Sequence, residues 1–230
     1  MSVVRLESVY KTYHIGKFDH EAVHDITLSV EEGEFLSIAG PSGSGKTTIL
    51  NIMGCLDKPS FGKVYIEDKD TTDQPMPQLA LLRREKIGFI FQTFNLIPVL
   101  TAIENVEFPL ILDGKNSAEQ RTFLAEQLLD QVGLRKFLHR KPNEMSGGQQ
   151  QRVAIARALA KKPALVLADE PTANLDSNTG KEILDLMLNL NQSLSTTFVF
   201  STHDRMVMDF ARRLIKLKDG RIEQDKANRS

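Results

Sequence analysis

Two short stretches, "ALVLADE" (164–170) and "TTFVFSTH" (196–203), are apolar almost from end to end and then stop on a polar side chain. Runs of that length with no polar alternation suit strands covered on both faces, which is the habit of parallel sheets packed between other layers. "EFLSIA" (34–39) and "KIGFIF" (86–91) are two more β-patterned runs of the same kind. Each of the four gives way at once to polar or glycine residues: Gly40, Gln92, Asp169 with Glu170, and His203. In open α/β sheets the carboxyl ends of the strands are where ligands bind, so these residues are the first candidates for a site.

The remainder of the chain fits around that core. The opening third alternates β-patterned runs with turns, predicting strands at Val3–Val9, Ile26–Val30, Glu34–Ala39 and Lys63–Glu67, with Gly33 and Gly62 as punctuation. "KTTILNIMGCL" (46–56) reads as an amphipathic helix. From about Asn95 to Lys161 the pattern is mostly helical; Phe123, Leu124, Leu128, Leu129 and Val132 fall at helical spacing, and Gly133 is a C-terminal stop. "RRLIKLKDGRIEQ" (212–224) reads as a hairpin turning at Asp219-Gly220. The last eight residues are polar and are expected to fray. The predicted architecture is one α/β core of nucleotide-binding type interrupted by a helical insert.

Composition excludes more than it specifies. The 230 residues carry 41% apolar and 26% charged side chains with a net charge of −1, which gives no footprint for nucleic acid as the main partner. The single cysteine, Cys55, lies in apolar "ILNIMGCL" and reads as a small buried hydrophobe. No run reaches the ~18 apolar residues of a spanning helix, and "MSVVRLESVYKTY" has neither basic leader nor long apolar region. The chain is therefore read as cytoplasmic, and any membrane it works at must come from another chain.

"GPSGSGKT" (40–47) satisfies G-x-x-x-x-G-K-[ST] at every fixed position, between a strand-like run and a helix. Gly40, Gly43 and Gly45 let the backbone curl until successive N–H groups face one anion, and the helix that follows adds its positive end. Lys46 brings a full charge toward the β- and γ-phosphates, and Thr47 offers a hydroxyl to Mg²⁺. Pro41 sits within the cradle, and Ser42, Ser44 and Thr48 are further donors. The bland alternative is a glycine-rich turn without ligand. Asp169 can hold Mg²⁺ at the sheet edge, and Glu170 can polarise an attacking water. An Asp-Glu pair after a strand can also be a helix cap, His203 alone a structural histidine and Gln92 alone a strand-end amide. Their shared location beside a phosphate loop favours the catalytic reading.

"NEMSGGQQQR" (143–152) remains, a glycine pair in polar surroundings directly ahead of the helical "VAIARALAKK". The order "GPSGSGKT", Gln92, "MSGGQ", "LVLADE", "NLD" and His203 resembles the ATPase subunit of ATP-binding-cassette (ABC) transporters over nearly the whole chain. That resemblance implies an α/β fold, a P-loop NTPase (RecA-like) core with an antiparallel β subdomain (1–94 and 162–230) and an inserted α-helical signature subdomain (95–161), with ATP and Mg²⁺ as ligands. It assigns Tyr13 to stack on adenine, Gly40–Thr48 to the phosphates, Thr47, Gln92 and Asp169 to the metal, Glu170 to the general base and His203 to the γ-phosphate. Lys46 and Gln92 join Glu170 and His203 as the catalytic set, and Asp176 belongs to a segment that communicates across a dimer.

Ser146, Gly147, Gly148 and Gln149 are then expected to bind the ATP of a second copy, so that two chains close head to tail over two nucleotides. A helix N-terminus bearing a serine hydroxyl and glycines that permit close approach agrees with a second anion site. Met145 departs from the family's usual leucine, a tolerated apolar exchange.

"FQTFNLIPVLTAIENVEFPLIL" and "SGGQQQRVAIARAL" look like the lipoprotein-release and macrolide-export (LolD/MacB-type) branch. Its expected partner is an integral-membrane permease subunit with four spans and a large extracytoplasmic domain, placing the chain peripherally on the inner face of the cell membrane. Phe94, Asn95, Leu96 and Ile97 are the expected receiving groove, with ordinary loop packing as the alternative. The other reading of function is a mechanotransmission module of the cell-division type that moves no cargo. Soluble DNA-repair or ribosome-associated ABC proteins fit less well, lacking their coiled-coil insert or second cassette here.

Overall fold

The computed structural model describes residues 1–16 and 18–228. Among these, the chain forms two sheets. The first is antiparallel, built from β1 (Ser2–Ile15), β2 (Phe18–Glu31), β4 (Phe61–Ile66) and β5 (Lys69–Asp70) in the order β2-β1-β4-β5. The second contains β3 (Phe35–Ala39), β6 (Ile87–Ile90), β7 (Leu165–Asp169), β8 (Thr197–Thr202), β9 (Arg213–Lys218) and β10 (Arg221–Ala227) in the order β10-β9-β3-β8-β7-β6. Within it β9, β3, β8, β7 and β6 run parallel, and β10 returns antiparallel along β9.

The apolar runs are strands covered on both faces, as predicted. Phe198 and Phe200 of β8, Val166 and Ala168 of β7 and Phe35 of β3 face one core. Val199, Leu165, Leu167, Leu36 and Ile38 of the same strands face the other. Helices α3 (Ala102–Asp113), α4 (Ala118–Gln131), α5 (Gly147–Leu159) and α6 (Ser177–Leu194) supply the first core. The antiparallel sheet and α1 (Lys46–Met53) supply the second. Cys55 is buried in that second core, and burial pushes its thiol up to about 11, which keeps it an inert apolar group.

Helices α3, α4 and α5 begin with one device. Thr101 and Glu104, Ser117 and Gln120, and Ser146 and Gln149 each form a reciprocal capping box, hydroxyl to the N3 amide and N3 side chain back to the cap amide. Short helix α7 (Arg205–Phe210) follows β8.

Several sequence expectations change. The two opening strands are far longer than 3–9 and 26–30, and their pairing carries Tyr13 on a strand, opposite His20. Helix α2 (Met76–Lys86) had no counterpart in the sequence reading; its weak amphipathicity, with Leu79 alone buried, explains why. The first helix stops at Met53 instead of running to Leu56, because Cys55 turns left-handed at φ 56°. Residues 95–101 are not helical; α3 starts only after its Thr101 cap. Phe123 points outward, 59% exposed, off the stripe it was assigned to. The expected fraying of 223–230 fails as far as Asn228. β10 pairs through Ala227 with Arg213, and the Asn228 amide donates to the Met208 and Ala211 carbonyls; 229 and 230 lie outside the described residues. The hairpin turn itself is as read, with Asp219 and Gly220 both at positive φ.

Candidate nucleotide site

The cradle at 40–47 lies between β3 and α1 and is fixed by its neighbours. Gly43 and Gly45 sit at φ +80° and +98°, where side chains are strained. Gly40 and Gly45 are also wedged: a Cβ at 40 would lie 2.4 Å from the Leu217 carbonyl, and one at 45 lies 2.5 Å from that of Ala22. The glycines therefore serve the packing of β9 and β2 onto the loop as well as its curl. The Gly220 amide of the β9–β10 turn donates to the Ser44 carbonyl at 3.3 Å, a further tie. Lys46 is buried, and its ammonium donates to the carbonyls of Gly40 (2.8 Å) and Pro41 (2.9 Å), which holds a full positive charge inside the loop. Ser44 is buried, whereas Pro41, Ser42, Gly43 and Thr47 are exposed.

A carboxylate meets this loop from the end of β7, and the end of β8 lies beside it. Thr47 Oγ1 stands 3.4 and 3.5 Å from the two Asp169 oxygens. Ser201 donates its hydroxyl to Asp169 Oδ1, fixing the carboxylate. Two hard oxygen donors at that separation fit one small divalent cation, since neighbouring ligands of an octahedral site with bonds of 2.0–2.1 Å stand ~2.9 Å apart. Only a small closing movement separates the two figures.

Glu170 follows with φ 48°, a left-handed backbone unusual for a residue with a long side chain. Its amide donates to the Ser201 carbonyl at 3.0 Å. Thr202 Oγ1 donates to Oε2 at 3.2 Å, and His203 Nδ1 contacts Oε1 at 2.7 Å. Glu170 is thus held at the backbone and at both oxygens, while His203 stays 67% exposed. Gln92 is on the neighbouring strand end, two residues beyond Ile90, whose partner Ala168 is two residues before Glu170. The Gln92 carbonyl accepts from the Asn174 amide at 2.9 Å, joining the loops after β6 and β7.

Tyr13 reaches the site's flank from β1. Its hydroxyl donates to Asp57 Oδ2 at 2.8 Å, and the Lys11 ammonium lies 4.9 Å from its ring centre. Burial raises the phenol above its ordinary value; a hydrogen bond with Thr48, next to the cradle, opposes this, and Asp57 adds to the rise.

Ser146–Gln149 cap α5 at a distance from this cluster. Among the described residues no hydrogen bond joins them to Gly40–Thr48; Ser146 and Gln149 bond to each other. Gly148 is buried against α6, where a Cβ would lie 2.6 Å from Thr179 Cγ2. Gly147 faces Leu175, Phe94 and the Asn174 carbonyl at 3.3 to 3.8 Å from such a Cβ. Asp176 caps α6 by accepting from the Asn178 and Thr179 amides at 3.1 Å each; the Thr179 hydroxyl first, and then these amides, pull its carboxyl below the usual range. Met145 is buried in the first core, as its apolar exchange for leucine requires.

Ser201, Thr202, Asn174 and Arg157 were missed as functional residues. A signal existed for the first two: hydroxyls inside a strand buried on both faces need partners, and Asp169 and Glu170 provide them.

The family model described as "ABC transporter" matches residues 23–173. An uncharacterized ABC transporter ATP-binding protein, MJ0796 of Methanocaldococcus jannaschii, is 52% identical over 97% of this chain and 96% of its own. The macrolide export ATP-binding/permease protein MacB of Syntrophobacter fumaroxidans is 45% identical over 98% of this chain, which spans only 32% of that longer protein. The dimeric structure of a post-hydrolysis state of MJ0796 bound to ADP and Pi superposes with a TM-score of 0.90 at 51% identity, covering 99% of both chains. No helix among the described residues is long and apolar enough to cross a membrane. With its α/β core, its phosphate loop and its paired strand-end acids, the chain belongs to the ABC transporter family and is an ATP-binding-cassette ATPase.

Proposed function

We propose that this chain is the ATP-hydrolysing subunit of a transporter, working as a head-to-tail dimer that drives a separate membrane permease of the lipoprotein-release or macrolide-export type. One observation carries the reading: Thr47 of α1 meets Asp169 at the end of β7, and Thr202 and His203 at the end of β8 meet Glu170, the next residue along.

In this reading the triphosphate lies along Gly40–Thr48, with Lys46 turning from the loop carbonyls to the β- and γ-phosphates. Adenine stacks on the face of Tyr13 opposite Lys11. Thr47, Asp169 and Gln92 hold Mg²⁺, which when bound offsets phosphate charge. Glu170 accepts a proton from the attacking water, so the water oxygen bonds to the γ-phosphorus as the bridge to the β-phosphate breaks, releasing ADP and phosphate. Thr202 and His203 keep the Glu170 carboxylate aimed, and His203 moves to the γ-phosphate when it is present. Ser146–Gln149 of a second copy close each site, and Asp176 stands where the two copies exchange information.

ATP touches both copies and ADP lacks the γ-phosphate that completes the bridge, so hydrolysis shifts the dimer toward opening. Residues 95–161 act as the lever against 1–94 and 162–230. The loop at Phe94–Ile97, where the two parts join, receives the permease. The dimeric ADP and Pi structure of MJ0796 supports the dimer, and the union of ATP-binding and permease parts in MacB supports a permease partner. The chain then works peripherally at the inner face of the cell membrane.

The test is purification of Glu170→Gln, which should bind but barely hydrolyse ATP, from native membranes with ATP and Mg²⁺. Co-purification of a four-span subunit with a large outer domain is the expected result. A partner that recruits a cell-wall hydrolase would replace the transport reading with mechanotransmission, and a stable ATP dimer with no membrane partner would overturn both.

A further inference from the structure

The loop that follows Gln92 has an unfavourable shape, tied within itself by bonds between Thr93 and Asn95 and gripped from outside by one side chain of α5. Phe94 and Asn95 are both left-handed, at φ 60° and 49°. Asparagine tolerates that region, whereas for phenylalanine it is costly. What compensates is Arg157, about three helical turns along α5 from the Ser146 cap. Its Nη1 donates to the Asn95 carbonyl at 2.5 Å and its Nη2 to the Phe94 carbonyl at 2.8 Å. No carboxylate pairs with this guanidinium among the described residues, so a half-buried full charge rests on two backbone carbonyls. Burial pulls its pKa down, as expected for a cation without a counter-ion. A fork of two parallel donors matches two successive carbonyls only when both peptides point the same way, which the paired left-handed residues achieve.

We infer that Arg157 is a positioning residue for ATP hydrolysis: its guanidinium locks the Phe94–Asn95 turn, and through that turn it sets where Gln92 stands relative to the nucleotide. This rests on the reading that Gln92 serves the γ-phosphate and metal. The consequence is mechanical. The start of α5 carries the residues proposed to meet the partner's ATP, and its far half grips the loop after Gln92. Movement of α5 on dimer closure is therefore passed to Gln92 by two hydrogen bonds, while the Asn174 bond ties the Gln92 carbonyl to the loop after Glu170.

The experiment compares Arg157→Gln, Asn95→Val, the double variant Arg157→Gln/Asn95→Gly, and Gln92→Ala. It reads steady-state hydrolysis, ADP affinity without metal, and hydrogen exchange of the amides of 93–96. Arg157→Gln should lower kcat about tenfold or more, leave ADP affinity within about twofold, and speed exchange at Phe94 and Asn95. Asn95→Val places a β-branched residue in the left-handed region with Arg157 intact and should give the same pattern, which keeps the test alive if Arg157→Gln folds poorly. Glycine at 95 favours the turn without the guanidinium, so the double variant should recover much of the lost kcat.

If Gln92→Ala is slow while Arg157→Gln and Asn95→Val keep wild-type kcat and exchange, the proposal is overturned. If Gln92→Ala hydrolyses at the wild-type rate, the Gln92 reading beneath it fails instead, and the proposal with it. Loss of ADP affinity in step with kcat would mean that Arg157 supports the fold only, and would also overturn it.

Discussion

Gly148 packs so closely under Thr179 that a Cβ at 148 would lie 2.6 Å from the threonine methyl. The second glycine of the pair is thus required by this chain's own α5–α6 contact, before any ligand is considered. Gly148→Ala should destabilise the fold by about 1–3 kcal/mol through overpacking, despite alanine's better helix propensity. Thr179→Ser removes the offending methyl and should restore the melting temperature of the Gly148→Ala protein. If Thr179→Ser gives no recovery, the steric account is wrong.

That contact also marks how far the sequence could be read. Four adjacent strands of the six-stranded sheet were legible because they are apolar on both faces, its β9–β10 edge from the Asp219-Gly220 turn, and the glycine loop because its spacing is fixed by the phosphate it would hold. The strand-end residues Gln92, Asp169, Glu170 and His203 were legible from that same pattern. Less visible were the residues that hold them. Thr202 and Ser201 look like ordinary strand hydroxyls until the β7–β8 pairing sets them beside Glu170 and Asp169. Arg157 and Asn174 act on backbone carbonyls distant in sequence, and carbonyl recognition leaves no residue-type signature. "SGGQ" read as a ligand motif is equally a capping box of the Thr101–Glu104 type, and its Ser-x-x-Gln spacing was open to that reading too. Helix α2, lacking a clear apolar face, could not be found by periodicity.

Because Ser146 has both a cap role and a proposed role toward a partner's ATP, the two must be separated. Ser146→Arg should abolish hydrolysis and, through the lost cap, cost about 1 kcal/mol of stability. Lys46→Ala should abolish hydrolysis by disabling the cradle. Mixed together, the two inactive proteins should regain activity, because a heterodimer contains one site with an intact cradle and an intact cap from the other chain. Activity that stays at zero in the mixture, with heterodimers demonstrated by cross-linking, would count against a site shared between copies.

Asp57 makes the tether of Tyr13 sensitive to acid. Burial alone would raise its carboxyl; hydrogen bonds from Lys11, Tyr13 and the Lys58 amide outweigh that and hold it below the ordinary carboxylate value. A depressed folded pKa adds stability that is present above the unfolded pKa and disappears as pH falls through the folded one. The wild-type protein should therefore exceed Asp57→Asn in melting temperature near neutrality, and the gap should shrink below about pH 4. A gap that is constant down to strong acid would exclude the charge as its source.

Gln151 offers the sharpest contrast between shape and chemistry. It is fully buried on α5, and its amide donates to the carbonyl of Pro171, directly after Glu170, at 2.5 Å, while its own Oε1 has no partner among the described residues. Glutamate is nearly isosteric but, once ionised, places a buried negative charge against that carbonyl and leaves it without a donor. Leucine also forfeits the bond, yet it removes the orphaned oxygen. Gln151→Leu should therefore cost about 1 kcal/mol, and Gln151→Glu about 3 kcal/mol or more at neutral pH. Burial raises the pKa of the introduced carboxyl, and in its neutral form it can donate to Pro171, so the Glu variant should regain stability as pH falls from about 7 toward 5. Thermal melts of both variants across that range decide it: equal stability at pH 7, or a Glu variant that does not improve on acidification, would mean that the Pro171 carbonyl is not held by this amide.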